Sequence, residues 1–586
     1  MLMNLKRTKI VCTIGPASES KDMLKQLINN GLNVCRLNFS HGNYEEHGAR
    51  IRDIKEVREE LNTNVAILLD TKGPEIRTGK FSEPEVLLEE GQEFTITVDE
   101  VMGDKTKCCV SYTGLTNDVK KGNIILIDDG LVGLEVQEVV GNDIKCIVKN
   151  AGIVKNNKGV NVPGVAINLP AITEKDRNDI LFGIENGIDF IAASFVRKAS
   201  DVLAIREILE EKDATDIKII SKIENQEGVD NIDSIIEVSD GIMVARGDLG
   251  VEIPTEEIPL AQKMMIRKCN AVAKPVITAT QMLDSMMRNP RPTRAEVTDV
   301  ANAIFDGTDA VMLSGETAAG KYPAEAVDTM ANIARRAESA LDYDAFLKRA
   351  VSSQANITDA ISYSTCTTAR DLKASAILTA TASGQTARMV CKFRPTTPIV
   401  ATSDSVRTVN QLMLSWGVYP ILADTKTSTD EVIQQSIDEA LNNDYIKSGD
   451  LVVVTAGVPV GVAGSTNLLK VHIVGEVVGK GMGVGKTHVQ GNVCVINSDD
   501  DIKKFKEGDI IVAPSTTPSM NEIIEKSSGI ITEHGGLTSH AAIVGLNMNK
   551  PVVVSVKDIT TKVEDGQLIT LDSQRGMIYK GEVRVL

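Results

Sequence analysis

The stretch KIISKIENQEGVDNIDSIIEVSDGIMVARGD, residues 218–248, shows the pattern that decides the fold. It contains two short runs rich in β-branched and apolar residues, Lys218–Glu224 and Gly241–Arg246, and each run ends in a charged residue. The segment between them suits a single helix. A strand, a helix and a second strand in this order indicate a unit of a parallel sheet.

The same unit recurs on both sides of this stretch. Strands are predicted at Lys9–Ile14, Asn33–Phe39, Val65–Asp70, Asp189–Phe195, Lys218–Glu224, Gly241–Arg246, Pro275–Gln281 and Asp309–Gly315. All the gaps between them except one suit one crossover helix each. Eight alternations of strand and helix are typical of a (β/α)8 TIM barrel, an α/β fold whose active site lies at the C-terminal ends of the strands.

The exceptional gap separates Asp70 from Asp189. It contains alternating runs such as FTITV, NIILID and DIKCIVKN, divided by Gly, Asn and Asp turns. Short alternating strands with turn signals predict a small β-barrel domain, inserted into the barrel at residues 72–170. The barrel domain would then comprise residues 1–71 and 171–345. Because the insertion follows the end of strand three, we expect it to act as a lid that excludes water.

The pattern changes again after about residue 345. Strands at Ser375–Ala380, Pro398–Thr402 and Leu451–Thr455, with helices between them, predict a second α/β domain at residues 346–473. The final segment, residues 474–586, forms another mixed unit. Its beginning, VVGKGMGVGKTHVQG, is interpreted as a glycine-rich linker or hairpin. It is no nucleotide-binding phosphate loop, because Lys480 stands where that motif needs glycine.

The composition excludes several classes of function. A formal net charge of −17 argues against partners such as nucleic acid or an anionic membrane surface. No apolar stretch is long enough to span a bilayer, and the N-terminus does not resemble a signal peptide. The nine cysteines include no CxxC pair, which predicts buried free thiols in a reducing cytoplasm.

Polar residues cluster where the predicted strands end, which suggests one shared ligand. They are Arg36, Asn38, Ser40, Asp70, Thr71, Lys222, Glu224, Arg246, Asp248, Thr280, Gln281, Ser314 and Glu316. The carboxylates of Glu224 and Asp248 are ligands of the kind that magnesium uses beside a substrate phosphate. Positive charge from Arg36, Arg77 and Lys222 suits the transition state of phosphoryl transfer, which is stabilised mainly by position and charge.

Seven motifs in order resemble those of the pyruvate kinases. They are CTIGPAS, CRLNFSHG, LLDTKGPEIRTG, SKIEN, MVARGDLGVEIP, TATQMLDSM and MLSGETAAGKYP. The resemblance extends over residues 5–473. It implies transfer of a phosphoryl group from phosphoenolpyruvate to ADP, giving pyruvate and ATP in the last step of glycolysis. It also implies a homotetramer regulated by a phosphorylated allosteric effector.

The resemblance implies a role for each matching residue. Glu224 and Asp248 would hold Mg²⁺ (or Mn²⁺), and Asn38, Ser40, Asp70 and Thr71 would hold K⁺. Lys222, Arg36 and Arg77 would contact phosphate, and the backbone at Gly247 and Asp248 would bind the substrate carboxylate. Thr280 would lie beside the enolate, supported by Glu316, although the proton donor stays open. Glu75 in the GPEIR motif goes with a requirement for potassium.

The loop ILTATASGQTARMV in the second α/β domain reads as strand, small polar loop and helix. Hydroxyls and N–H groups at a helix start can cradle a phosphate, although an ordinary helix cap has the same appearance. The matching loop of the family binds an effector, so the expected effector residues are Thr381, Ser383, Gly384, Gln385 and Thr386. The segment Thr455–Asn467 would be their flexible partner.

The segment EHGGLTSHAAIVGLNMNKPVVV resembles the swivelling phosphohistidine domain of phosphoenolpyruvate synthases. His540 matches the histidine that carries the phosphoryl group in those enzymes. Two alternatives to a pyruvate kinase with a passive extra domain therefore stay open. One is a synthase-like phosphotransferase that works through His540, and the other is a non-catalytic phosphoenolpyruvate sensor. No ATP-grasp-like segment precedes this domain, so the passive interpretation is favoured.

Overall fold

The computed structural model describes residues 5–350, 356–426, 428–458 and 466–583. Within these ranges, eight parallel strands close into a barrel in sequence order. Each predicted barrel strand is confirmed, with ends that differ by at most two residues. Barrel strands one to eight are Lys9–Thr13, Val34–Asn38, Ala66–Asp70, Phe190–Ala193, Lys218–Ile223, Gly241–Ala245, Val276–Ala279 and Ala310–Leu313.

A ring of helices surrounds the barrel, with one outer helix after each strand. They are Lys21–Asn30, Tyr44–Glu60, Glu174–Glu185, Ala199–Glu211, Ile232–Val238, Ile258–Ala271, Arg294–Asp306 and Pro323–Glu338. Local signals set their ends: Ser20 caps the first helix by accepting a hydrogen bond from Met23, and Gly31 ends it with a φ of 118°. Short helices at Gln226–Asp230, Arg246–Glu252 and Gly315–Ala318 begin in the loops at the strand ends.

Side chains alternate between two cores along each barrel strand, as the two-residue period of a strand requires. In strand one, Ile10 and Cys12 pack against the surrounding helices, whereas Val11 packs inside the barrel. The interior core also contains Leu414, which belongs to the second α/β domain. That domain therefore closes the N-terminal end of the barrel, and the C-terminal end is left for the polar residues.

The chain between strands three and four forms the predicted small β domain, called the lid below. One sheet has the spatial order Ile76–Arg77, Gly159–Asn161, Ile124–Ile127, Val132–Val140, Asp143–Val148, Glu93–Thr97 and Lys107–Cys109. A bridge between Thr78 and Val110 joins its first and last strands, so the sheet nearly closes on itself. A two-stranded sheet, Glu85–Leu88 with Gly152–Lys155, and a short helix, Leu115–Asp118, complete the lid.

The second α/β domain contains a sheet with the order Val418–Leu422, Ile399–Ser403, Ala376–Ala380, Leu451–Gly457 and Thr466–Ile473. The three predicted strands are confirmed, and the two outer strands were missed. Its helices are Tyr343–Arg349, Ile357–Asp371, Gln385–Cys391, Val406–Leu412 and Thr429–Asn442.

The last domain corrects one sequence interpretation. Residues 477–491 are no linker: Val477–Lys480, Met482–Val484 and His488–Val495 are strands of its mixed sheet. Glycine is needed here for close packing, because a Cβ on Gly483 would lie 1.8 Å from the Ser573 carbonyl oxygen. The other strands are Ile510–Ala513, Gly529–Thr532, Val552–Val554, Leu568–Asp572 and Met577–Lys580, and the α-helices are Asn521–Lys526, His540–Asn547 and Ile559–Lys562.

Two expectations from composition are also addressed by the structure. All nine cysteines lie in the described ranges, and each is buried with a free thiol. Among the helices of these ranges, none combines the length and apolar character needed to cross a bilayer.

Candidate active site

A buried ionic cluster occupies the C-terminal end of the barrel interior. Lys222, from strand five, places its Nζ atom 2.9 Å from Glu224 Oε1 and 3.2 Å from Asp70 Oδ1. The same ammonium group donates to Ser194 Oγ at 2.9 Å. Burial opposes the charge of Lys222, but the carboxylates of Asp70 and Glu224 outweigh burial and raise its pKa above the usual value. Lys222 is therefore a fixed cation.

Arg36 adds a second cation to this cluster. Its Nε atom lies 2.5 Å from Asp70 Oδ2, and its NH1 group donates to Thr13 Oγ1 at 2.7 Å. Burial acts against ionisation of Asp70, yet Arg36 and Lys222 hold the pKa of that carboxyl below its usual value. Asp70, at the end of strand three, thus orients two cations that come from strands two and five.

Glu224 and Asp248 form the acidic side of the site. The Phe195 N–H donates to Glu224 Oε2 at 2.6 Å, which fixes the direction of that carboxylate. Burial raises the pKa of both Glu224 and Asp248, and Lys222 opposes the rise in each. Two crowded, desolvated carboxylates with one ammonium neighbour form a donor set that suits an additional cation of high charge.

Thr280 lies at the end of strand seven in a strained backbone conformation. Its φ is 69°, in a region that β-branched residues rarely adopt. Its hydroxyl donates to the Ala279 carbonyl oxygen at 2.6 Å and accepts from the Gly247 N–H at 2.7 Å. Arg246 donates to the Thr280 carbonyl oxygen at 2.8 Å and forms a bidentate pair with Asp299, which supports the strained turn.

Glu316 is buried, and both oxygens of its carboxylate are used by the backbone. Its carboxylate accepts from the Leu283 N–H at 3.1 Å and from the Ser314 N–H at 2.8 Å. Burial raises the pKa of this carboxyl. Glu316 therefore ties the loops after strands seven and eight together, and among the contacts of the described residues none joins it to Thr280.

The four residues predicted to hold potassium come from adjacent strand ends. Asn38 Oδ1 accepts from the Ser40 N–H at 3.1 Å, and the Thr71 carbonyl oxygen accepts from Ser194 Oγ at 2.6 Å. Within the described ranges, no cluster of three or more His, Cys, Asp or Glu side chains is placed to hold a metal. The oxygens here are mainly amide, hydroxyl and carbonyl, which fits a weakly bound monovalent cation.

A cleft of about 480 Å³ separates the lid from the barrel. Arg77 and Lys158 line it from the lid, and Asp248 lines it from the barrel. The Arg77 guanidinium is held by Glu75 at 2.6 Å and by the Asn157 carbonyl oxygen at 2.8 Å. Asn161 of the lid donates to Glu252 of the barrel at 2.7 Å, so lid and barrel are in contact.

Several residues of the site were missed by the sequence analysis. Ser194 lies at the end of predicted strand four, where the rule applied to the other strands would have found it. Lys158 carries no motif, and its position in the cleft follows only from the folding of the lid. The same holds for the contact between Asn161 and Glu252.

The predicted effector loop lies in the second α/β domain, between the strand Ala376–Ala380 and the helix Gln385–Cys391. Gly384, with a φ of 79°, precedes the short helix Gln385–Cys391. Thr386 Oγ1 lies 2.8 Å from Thr466 Oγ1, and Arg388 donates to the Ser383 carbonyl oxygen at 3.1 Å. Of the expected partner segment Thr455–Asn467, residues 459–465 lie outside the described residues.

His540 is the first residue of the helix His540–Asn547 in the last domain. Its Nδ1 atom lies 2.8 Å from Thr516 Oγ1, which fixes the orientation of the ring.

The closed barrel, the lid and the ionic cluster beside the cleft are the features of a barrel enzyme. Three family models match this chain: "Pyruvate kinase, barrel domain" over residues 5–327, "Pyruvate kinase, alpha/beta domain" over 359–472, and "PEP-utilising enzyme, mobile domain" over 505–576. The chain belongs to the pyruvate kinase family. The resemblance of the seven sequence motifs to pyruvate kinases is thereby confirmed, and so is the resemblance of the last domain to the mobile domain of enzymes that use phosphoenolpyruvate.

Individual relatives cover the whole chain. A pyruvate kinase of Bacillus licheniformis is 56% identical over 586 residues, covering 99% of this chain and 100% of the relative. One from Geobacillus stearothermophilus is 56% identical over 585 residues, with the same coverage. A crystal structure of a pyruvate kinase from Cryptosporidium parvum is 42% identical with a TM-score of 0.76, covering 80% of this chain and 96% of that one. The chain therefore transfers the phosphoryl group of phosphoenolpyruvate to ADP, with pyruvate and ATP as products.

Proposed function

We propose that the ionic cluster around Lys222 is the reaction centre of this phosphoryl transfer, with Arg36 and Arg77 as its other phosphate-binding cations. The observation that carries this proposal is the Lys222 ammonium group, held between the carboxylates of Asp70 and Glu224 at the C-terminal end of the barrel. Its charge is fixed, and a fixed cation needs no reorganisation as negative charge develops on the transferred group. Arg77 lies across the cleft, so closure of the lid brings a cation from the opposite side.

We propose Glu224 and Asp248 as the ligands of a divalent cation, Mg²⁺ or Mn²⁺. When bound, such a cation supplies positive charge to phosphate and enolate oxygens. The proposed K⁺ ligands are Asn38, Ser40, Asp70 and Thr71. Of these, Asp70 also orients Arg36 and Lys222. The pKa values of both acidic residues, raised by burial, fit this assignment, because a bound cation would favour the charged forms that burial disfavours.

Thr280 and Gly247 are proposed to hold the substrate beside these cations. The Gly247 N–H donates to the Thr280 hydroxyl in this structure. A substrate carboxylate at the backbone of Gly247 and Asp248 would replace that bond and leave the Thr280 hydroxyl available near the enolate. Glu316 would support the loop from behind, because its carboxylate is already used by two backbone N–H groups.

The test is pyruvate release from phosphoenolpyruvate with ADP and Mg²⁺, in K⁺ and in Na⁺ buffers. Turnover that requires ADP and K⁺ is expected. Binding of Mn²⁺, followed by electron paramagnetic resonance, should weaken in Asp248→Asn and remain unchanged in Asp233→Asn, which alters an exposed carboxylate on an outer helix. Equal Mn²⁺ affinity in both variants would disprove the metal assignment, and turnover without K⁺ would disprove the proposed requirement for that cation.

A phosphorylated effector is proposed to bind at Thr381, Ser383, Gly384, Gln385 and Thr386. Small hydroxyl residues and a glycine with positive φ leave room and donors for a phosphate. Sugar phosphates and nucleotides should shift the phosphoenolpyruvate saturation curve. Ser383→Asp, which places a negative charge in the loop, should remove that shift without changing the maximal rate, and an unaltered response would place the effector elsewhere.

A homotetramer working in the cytoplasm is proposed for the assembled enzyme. Leu260 and Phe305 are large apolar side chains exposed on neighbouring outer helices of the barrel. The strand Thr466–Ile473 lies at the edge of its sheet and exposes Val471. Sedimentation of the protein should give a tetramer, and Phe305→Asp should give smaller species; a monomer in both cases would contradict the proposal.

A further inference from the structure

One buried carboxylate connects the two places where the chain passes between barrel and lid. Asp176 Oδ1 accepts from the N–H of Gly73, where the chain leaves the barrel, at 3.0 Å. Asp176 Oδ2 accepts from the N–H and the hydroxyl of Thr173, where the chain returns, at 3.0 and 2.6 Å. Asp176 is only 2% exposed. Both crossings are therefore attached to the first turn of the helix Glu174–Glu185, called the return helix below.

The outgoing crossing is pressed against residues that support the reaction centre. A Cβ on Gly73 would lie 2.7 Å from Ser194 Cβ and 2.9 Å from Phe195 Cδ2. The Ser194 hydroxyl accepts a hydrogen bond from the Lys222 ammonium group, and the Phe195 N–H donates one to the Glu224 carboxylate. A displacement of Gly73 would therefore shift Ser194 and Phe195, the two residues that orient Lys222 and Glu224.

The neighbouring residue of the return helix holds a different part of the site. Lys175 Nζ donates to the Phe39 carbonyl oxygen at 2.8 Å, between Asn38 and Ser40 of the proposed potassium site. The same Nζ atom lies 2.6 Å from Asp179 Oδ2, and Tyr44 donates to the other oxygen of Asp179 at 2.8 Å. The return helix is thus bonded through Lys175 to the loop that carries two of the proposed potassium ligands, and through Asp179 to the helix Tyr44–Glu60 that follows this loop.

We propose that Lys175 and Asp176 are positioning residues that link the lid to the monovalent cation site. Because they are adjacent on one helix, they hold the hinge of the lid and the loop of Asn38 and Ser40 in a fixed relation. Loss of either attachment weakens the cation site, and cation binding and lid position favour each other reciprocally. The inference rests on the proposed potassium site and assigns no contact with substrate to either residue.

The first test compares two exposed cations of the return helix. The side chain of Lys175 is 48% exposed and that of Arg177 is 44% exposed, so neither substitution should unfold the protein. Arg177 pairs with Glu211 on a neighbouring helix, away from the potassium site. Lys175→Met should raise the K⁺ concentration for half-maximal activity roughly threefold to tenfold, with a smaller change in kcat, because one charge-assisted hydrogen bond is lost. Arg177→Met should leave it unchanged, and Lys175→Arg should restore part of the affinity.

The second test measures the hinge without relying on turnover. Hydrogen–deuterium exchange of peptides that contain residues 72–76 should be about tenfold faster in Asp176→Ala, since the Gly73 N–H loses its acceptor. Thr173→Ala is the matched control: it removes one cap of the return helix but keeps the bond between Asp176 and Gly73, and its exchange in this segment should remain close to that of the parent. In the parent, K⁺ should slow exchange in the same peptides, and this effect should be weaker in Lys175→Met.

The outcomes separate the inference from the proposal beneath it. A parent enzyme that responds to K⁺, with identical K⁺ curves for Lys175→Met and Arg177→Met, would overturn the link while leaving the potassium site standing. Equal exchange in Asp176→Ala and Thr173→Ala would overturn the hinge attachment. If neither turnover nor exchange of the parent enzyme depends on K⁺, the proposed potassium site is disproved, and the link between the lid and that site is disproved with it.

Discussion

Two lysines face the interior of the same barrel at opposite ends, and their pKa values shift in opposite directions. Lys222 lies at the C-terminal end beside Asp70 and Glu224, which raise its pKa although burial opposes them. Lys9 lies at the N-terminal end, where burial lowers its pKa to about 8. Its Nζ atom donates to the Val418 carbonyl oxygen of the second α/β domain at 2.6 Å. Lys9 is 2% exposed and the side chain of Lys222 is 12% exposed, so both are largely withdrawn from solvent, but their partners differ in kind.

The difference distinguishes the proposed reaction centre from a domain junction. At the N-terminal end, the charged groups are satisfied by backbone atoms and by each other: Arg394 donates to Asp309 at 2.9 Å and to the Gly307 carbonyl oxygen at 2.8 Å. Leu414 fills the remaining interior space. At the C-terminal end, ionised side chains face one another beside an open cleft. Burial of charge alone therefore does not identify a site; shared charge next to accessible space does.

The largest expected effect is on the chemistry at the C-terminal end. Lys222→Met should lower kcat by about a thousandfold, the magnitude typical of losing a preorganised charge in a reaction centre. Steady-state pyruvate release measures it, with circular dichroism to confirm that the fold is retained. Lys9→Met is the matched control, and its turnover per folded molecule should stay within about twofold of the parent. Equal losses of kcat in Lys222→Met and Lys9→Met would show that the two ends of the barrel do not differ in their contribution to catalysis.

The next effect concerns the stability of the N-terminal end. Arg394→Met leaves the buried Asp309 carboxylate without its cation, which should cost about 3 kcal/mol of the free energy of unfolding. Denaturant unfolding measures this loss, and the kcat of the folded fraction should be unchanged. A large fall in kcat with unaltered unfolding would show that this junction takes part in catalysis.

A smaller effect depends on pH. Burial, followed by the charge of Lys9, lowers the pKa of Lys6 from 10.5 to about 7. Between pH 7 and 10.5, Lys6 is therefore protonated in the unfolded chain but neutral in the folded one, so unfolding takes up a proton and stability rises with pH. From pH 7 to 9, the gain from this group is on the order of 2 kcal/mol.

Lys6→Met should remove that gain. The free energy of unfolding of the parent and of the variant is measured at pH 7, 8 and 9. The value for the parent, relative to that for the variant, should rise as the pH increases. A difference that is constant over the range would mean that Lys6 stays charged at the junction, as Lys222 does at the other end.

The smallest effect is expected at His540, which belongs to neither end of the barrel. His540→Ala should leave ADP-dependent turnover within about twofold of the parent, because the ionic cluster around Lys222 is complete without it. Loss of turnover would instead favour the alternative in which the phosphoryl group passes through His540. That result would move the chemistry out of the barrel altogether.

The sequence predicted the barrel because each strand combines a β-branched run with a terminal polar residue, and this pattern is local. It failed for Val477–Lys480 and Met482–Val484, since frequent glycine in a strand resembles a loop unless the close packing of neighbours is known. The outer strands of the second α/β domain, such as Val418–Leu422, were also missed. The domain boundaries, the effector loop and the individual roles of the site residues stay predictions.

By itself, the sequence determined the order of strands, the presence of an inserted β domain and the residue types at the strand ends, because these depend on period and on turn chemistry. Only the tertiary structure decided which charges meet. Lys222 and Asp70 lie far apart in the chain, as do Asp176 and Gly73, and Lys9 and Lys222 are both lysines on strands. Their different roles arise from closure of the barrel and from what each end is packed against, and the electrostatics of a buried group depend on those neighbours.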